Sequence, residues 1–326
     1  MMNFQLDIQS YTSRFKAWAQ TFRGGVTIVC LAALMLFPLT GNEYLTQIIV
    51  TSMILAIFAA SWDLVAGFAG QVSFGHAAFF GISGYFTAAL VKFGGAHWLL
   101  SVFAGAGWAI VFSLLIGIPC LRLKGPYLAL GTLAFALILW NLFLTGTWLG
   151  GTEGISGLPS TGSIFVAFYI IAAFMIGSLI IMRAIVDSRL GTILKSIRDD
   201  ETCADASGIN TTVYKLIAFM ISGFFAGISG ALFVLDTTAV NPAVFQTLYS
   251  FYAIIMAAIG GMATIYGSII GAFLFTILSE LLRPLAAAAL LIFATLLILI
   301  VRFAEEGVMN PFLDRIHDLW DIIRRK

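Results

Sequence analysis

The chain has 326 residues; 60% belong to the set Ala, Val, Ile, Leu, Met, Phe, Trp, Tyr and Cys, and only 10% are charged. Its 17 basic and 16 acidic residues give a net charge of +1, which excludes a basic nucleic-acid binder. A soluble domain carries about 25% charge and cannot bury such an apolar excess, so the composition excludes a soluble enzyme and a disordered chain and defines an integral membrane protein.

In such a chain the charges act as punctuation. Nineteen uncharged residues separate Arg23 from Glu43, and another 19 separate Glu43 from Asp63. At about 1.5 Å per residue, either run is long enough to cross the hydrocarbon core. Taken in chain order, the runs predict ten spans near 24–41, 44–62, 75–91, 97–121, 126–146, 163–182, 216–235, 247–261, 265–280 and 285–303. The eighth and ninth share one run of 43 uncharged residues, divided at Gly260-Gly261. With the N-terminus inside, 15 of the 17 basic residues fall on inner segments; only Lys92 and Arg283 fall outside. The bias of Lys and Arg toward the cytoplasmic side then places both termini in the cytoplasm.

The ends carry their own patterns. Phe15, Trp18, Ala19 and Phe22 stand at helical spacing, so residues 1–23 read as a cytoplasmic interfacial segment and not as a cleaved signal peptide. Residues 24–303 form the membrane domain. Residues 304–326 read as an amphipathic cytoplasmic tail, with Phe312, Ile316, Leu319 and Ile323 on one stripe. Cys30 and Cys120 lie in apolar runs and Cys203 in a charged loop, which is neither a disulfide framework nor a metal site.

One internal segment is strongly polar. Residues 183–205 hold nine charges, and the cytoplasmic loop as a whole is read as 183–215. Asp187 or Ser188 can cap a helix in which Leu190, Ile193, Leu194 and Ile197 make an apolar stripe. Arg189, Lys195 and Arg198 face elsewhere. Asp199-Asp200-Glu201 interrupts that helix, and a second one from about Thr202 to Ser207 ends at Gly208. Two readings stand: a solvated linker, or a docking surface for a cytoplasmic partner. A linker needs no regular stripe. No G-x-x-x-x-G-K-[ST] phosphate loop, HExxH or GxSxG occurs, so the chain has no ATP site of that kind.

Four stretches carry a family resemblance. They are LVAGFAGQVSFGHAAFFGISGYFTAAL at 64–90, RLKGPYLALGTLAFALI at 122–138, GGTEGISGLP at 150–159, and the long run from Asp187 to Leu232 that holds the polar loop and the next span. Together they resemble the LivM type of branched-chain amino acid ABC transporter permease, over roughly residues 45–305. The arginine-glycine pattern usual at that family's C-terminal end is replaced by VRFAEEGVM. The resemblance implies an all-α type II importer permease of about ten helices, multi-pass in the bacterial inner membrane. It implies a LivH-like sister permease, two cytoplasmic ABC ATPase subunits and a periplasmic substrate-binding protein as partners. The chain itself would hold no cofactor, because ATP would be used by the partner subunits. Leucine, isoleucine and valine are the expected substrates, although related permeases carry urea, amides and aromatic acids. The loop residues Arg189, Leu190, Ile193, Leu194, Ile197, Arg198, Asp199, Glu201 and Gly208 are then the expected ATPase-coupling element.

Gly67, Gly70 and Gly75 surround Gln71, Ser73 and His76, a density of glycine that predicts irregular backbone at membrane depth. Such backbone is tolerated only inside protein or beside a watery cavity. Gln71, Ser73, His76 and Asn141 are therefore candidates for the translocation pathway, with structural packing as the alternative. Ser222, Ala226 and Gly230, and Gly223, Gly227 and Ala231, stand at four-residue spacing and predict close helix packing. FFGISG at 79–84 resembles FFAGISG at 224–230, as a duplicated half or by chance. Asp63, Glu153 and Asp236 are placed at span ends, which argues against a proton- or sodium-coupled carrier. A self-sufficient secondary transporter or channel, and a non-transporting scaffold, are the competing functions. The charged loop speaks against the first and the glycine-interrupted segment against the second.

Overall fold

The computed structural model describes residues 33–123, 125–159 and 162–285, with four further positions between 291 and 298. The predicted interfacial segment 1–23, the tail 304–326, half of the first span and most of the tenth lie outside these residues.

Ten helices of six or more residues occur between Glu43 and Leu281: α1 (Glu43–Asp63), α2 (His76–Lys92), α3 (Trp98–Cys120), α4 (Pro126–Thr145), α5 (Ile164–Asp187), α6 (Arg189–Asp199), α7 (Glu201–Ala206), α8 (Thr211–Thr237), α9 (Thr247–Gly260) and α10 (Ile265–Leu281). Five of the described helical segments are long and apolar enough to cross a membrane: Glu43–Phe68, Trp98–Cys120, Pro126–Thr145, Ile164–Asp187 and Thr211–Thr237. The bent pair α9–α10 brings the number to six if it counts as one span.

Two sequence expectations change here. Asp63 does not end its span: α1 runs on through a π-helical turn, Leu64–Phe68, and Asp63 is fully buried within the continuous helix. The segments at 247–261 and 265–280 are not two straight crossings. They form a pair bent by 112°, and the 14 residues of α9 reach only about 21 Å. The glycines permit this return, because a Cβ on Gly260 would run into the carbonyl of Gly267, and one on Gly271 into that of Met256. A single uncharged run concealed the bend, since charge spacing reports apolar length and not direction.

The centre of the molecule is α8, which packs most extensively on α3, α2 and α1. Its small residues make that approach possible. Gly223 and Gly227 lie against Ala109 of α3, and Gly230 against the Phe80 carbonyl of α2. Ser222 and Ser229 donate to the carbonyls of Ser61 and Ile54 on α1, both at 2.7 Å. The two similar motifs meet face to face: Ser83 Oγ donates to the Gly227 carbonyl at 2.7 Å.

Contacts at the two ends of the bundle set its directions. At one end Tyr44 of α1 hydrogen-bonds Glu280 of α10, Gln47 donates to Asp236 of α8 at 2.7 Å, and Lys92 Nζ donates to the Ser156 carbonyl at 2.7 Å. There a two-stranded antiparallel sheet joins β1 (Ile155–Ser156) to β2 (Ala239–Val240), tying the α4–α5 connection to the α8–α9 connection. At the other end lie α6, α7 and the α9–α10 bend. The chain between β2 and α9 turns back into the interior, where Phe245 packs on Tyr85 and Phe143. Both α2 and α9 thus begin inside the protein, and Ser250 Oγ accepts from the Ala77 N–H at 2.9 Å. This is broken-helix backbone of the kind that membranes tolerate only within protein.

Candidate functional site

The polar loop folds as two helices, as its spacing predicts, and the long helices on either side run into the segment 183–215. α5 continues to Asp187, which pairs with Arg183, and α8 already begins at Thr211. Ser188 caps α6 by accepting from the Leu190 N–H at 3.2 Å. Asp200 caps α7 by accepting from Thr202 and Cys203 at 2.8 and 3.0 Å. The acidic triplet therefore holds a helix start. Gly208 ends the motif at φ +84°, in the left-handed region that glycine enters without strain.

The apolar stripe turns inward. Leu194 and Ile197 are buried, Leu190 and Ile193 half-buried, and Gly191 sits against the Val186 carbonyl. The outward surface is polar and small: Thr192, Ser196, Asp199, Thr202, Cys203, Ser207 and Gly208 are exposed. Arg189 is exposed at the start of α6.

Two charges of the expected coupling element make contacts within the chain. Glu201 Oε2 lies 2.5 Å from Nζ of Lys215, whose side chain is 3% exposed. Arg198 donates through Nη1 to the Gly67 carbonyl at 3.0 Å and pairs with the exposed Asp199 at 2.9 Å. Both bonds clamp the loop to the bundle. Lys215 escaped sequence reading because it resembles any cation at the end of a span, and its partner lies 14 residues earlier, in the preceding helix.

The four pathway candidates do not converge. Ser73 and His76 are buried in packing, with His76 Nε2 2.9 Å from Ser61 Oγ and the Ser73 carbonyl accepting from Trp62 Nε1. Gln71 is half-buried and donates to the Ala69 carbonyl. Asn141 is exposed on α4 and bonded to its own helix at Leu137. α4 does touch the glycine-rich segment, but through Thr132, which accepts from the Phe74 N–H and lies nine residues, about 13 Å along the helix, from Asn141. The described residues hold no group of His, Cys, Asp and Glu arranged to bind a metal ion.

An apolar bundle with broken helices, carrying one polar helix pair clamped to one end, defines a multi-pass membrane protein. Residues 44–301 match the family described as branched-chain amino acid transport system / permease component, and the chain belongs to that family. It is 27% identical, over 86% of its length and 74% of the relative's, to the high-affinity branched-chain amino acid transport system permease protein LivM of Escherichia coli. To LivM of Salmonella typhimurium it is 28% identical over 84% of this chain and 72% of that one. A more distant relative is the nucleoside ABC transporter permease protein NupC of Lactococcus lactis, 24% identical over 41% of this chain and 47% of that protein. No solved structure matches the chain.

Proposed function

We propose that this protein is the membrane-spanning permease subunit of an ATP-driven importer for branched-chain or related amino acids. It pairs with a sister permease to form the translocation pathway in the bacterial inner membrane. Ten spans with both termini cytoplasmic remain our reading of the topology, resting on the bias of basic residues. Separate cytoplasmic ATPase subunits hydrolyse ATP, and a periplasmic binding protein delivers substrate. The observation that carries this reading is the α6–α7 pair. A permease moved by a separate ATPase needs a rigid element that passes force into its helices, and this pair is capped at both starts and clamped by Lys215–Glu201 and Arg198–Gly67. A secondary transporter has no use for such an element. Substrate class follows from the names of the LivM relatives, while the NupC relative makes nucleosides the control.

The test is reconstitution with candidate ATPase, sister-permease and binding-protein subunits in proteoliposomes. Uptake of labelled leucine, isoleucine or valine should require ATP inside and every partner. Uptake by this chain alone, driven by a proton or sodium gradient, would replace the proposal with a secondary carrier.

A further inference from the structure

Beneath the clamp lies a second joint that the sequence did not reveal. Arg198 of α6 holds the carbonyl of Gly67, within the π-helical turn that ends the first long helix. One turn earlier in the same helix, Asp63 is fully buried, and its Oδ1 accepts from the backbone N–H of Ala263 at 2.7 Å. Ala263 stands in the α9–α10 bend at φ +59°, a conformation that an alanine keeps only when its surroundings impose it. The three groups touch: a Cβ on Gly67 would strike both Asp63 Oδ1 and the Ala263 backbone. On the loop side, Gly70 at φ +69° lies against the aliphatic part of Arg198, and Lys195 Nζ sits 5.7 Å from the Phe68 ring centre. A π-helical turn is a place where a helix can yield, and such turns concentrate at functional sites.

We infer that Asp63 is a positioning residue for transport, joining the α6 helix to the α9–α10 bend. Movement of α6 pulls the Leu64–Phe68 turn through Arg198. The turn carries Asp63, and Asp63 carries Ala263 and the broken helix pair, which reaches the opposite end of the bundle at the Tyr44–Glu280 contact. The role is that of an acceptor at one fixed position, since Oδ1 is the atom that meets Ala263 while Oδ2 is buried without a hydrogen-bond partner. An acceptor of unchanged geometry, with or without charge, therefore suffices. This inference rests on the proposed ATP-driven function and adds the route by which force leaves the loop.

The experiment compares wild type, Asp63→Asn and Asp63→Ala in the full reconstituted transporter, recording ATP hydrolysed and substrate moved. If wild type shows no ATP-driven uptake, the proposed function itself fails and the inference falls with it. If wild type is coupled, Asp63→Asn should stay close to it. Asp63→Ala should hydrolyse ATP with the ATPase still bound, while the ATP used per substrate rises by about tenfold. Equal coupling in Asp63→Ala and wild type, or loss in Asp63→Asn equal to that in Asp63→Ala, overturns the joint.

A second variant guards against misfolding. Ala263→Gly keeps the N–H and takes the positive φ without strain, so adding it to Asp63→Ala should restore thermal stability while the ATP used per substrate stays raised. Coupling restored together with stability in the double variant overturns the inference.

Discussion

Lys215 Nζ lies 2.5 Å from Glu201 Oε2, with the lysine side chain 3% exposed and the glutamate 38% exposed. The pair is unequal in solvation, so its two halves are unequal in consequence. Removing Glu201 strands a buried cation, whereas removing Lys215 leaves an anion that water can reach. Glu201→Ala should cost about 3 kcal/mol and Lys215→Met clearly less, because an uncompensated buried charge dominates the loss. Denaturation of the purified variants in detergent checks the order. Equal destabilisation would mean that the lysine finds water in the folded protein.

Helix approach at α8 gives a second prediction. Gly230 has the Phe80 backbone where a Cβ would stand, while Gly177 of α5 has nothing within 4 Å. Gly230→Ala should sharply reduce the yield of folded protein. Gly177→Ala should be neutral, or stabilising by up to about 1 kcal/mol from helix propensity. Size-exclusion profiles and thermal unfolding distinguish the two.

Much of this was legible in the sequence, for identifiable reasons. The α6–α7 pair was readable because caps, stripe and terminal glycine are local patterns, and each occurs where expected: Ser188, Leu194 and Gly208 are examples. The small residues of α8 were readable as a packing face, but not the division of that face among α1, α2 and α3. The α9–α10 bend was not readable, since Ala263 takes a positive φ without being glycine and its partner Asp63 lies 200 residues away. The pathway candidates take separate places in the structure for a related reason. Polarity in an apolar run marks any buried hydrogen bond, and His76 is satisfied by Ser61 within the packing.

Orientation can be tested from the two ends of the bundle. Ser156 is exposed in β1, on the connection between α4 and α5, and native Cys203 is exposed on α7. In intact cells an impermeant maleimide should label Ser156→Cys from the periplasm and reach Cys203 only after permeabilisation. The opposite pattern would invert the proposed topology.

Gly208 offers a local test of the loop. At φ +84° a β-branched side chain is strained, whereas asparagine is tolerated. Gly208→Val should displace the end of α7 at a cost of about 1–2 kcal/mol and reduce co-purification of the ATPase, with Gly208→Asn close to wild type. Unchanged co-purification in Gly208→Val would show that the end of α7 takes no part in docking.

The central claim is that α6 and α7 bear on the ATPase, and a cross-link reads it most directly. Cys203 is exposed on α7 and Cys120 is buried, so with Cys30 replaced by serine a short thiol-reactive photo-cross-linker can be placed on the loop at its native cysteine. In the assembled, ATP-competent transporter the account predicts a cross-link from Cys203 to the ATPase subunit whose yield changes between the ATP-bound and nucleotide-free states. A transporter that takes up substrate at full rate, yet gives no cross-link from Cys203 to the ATPase in either state, would contradict it.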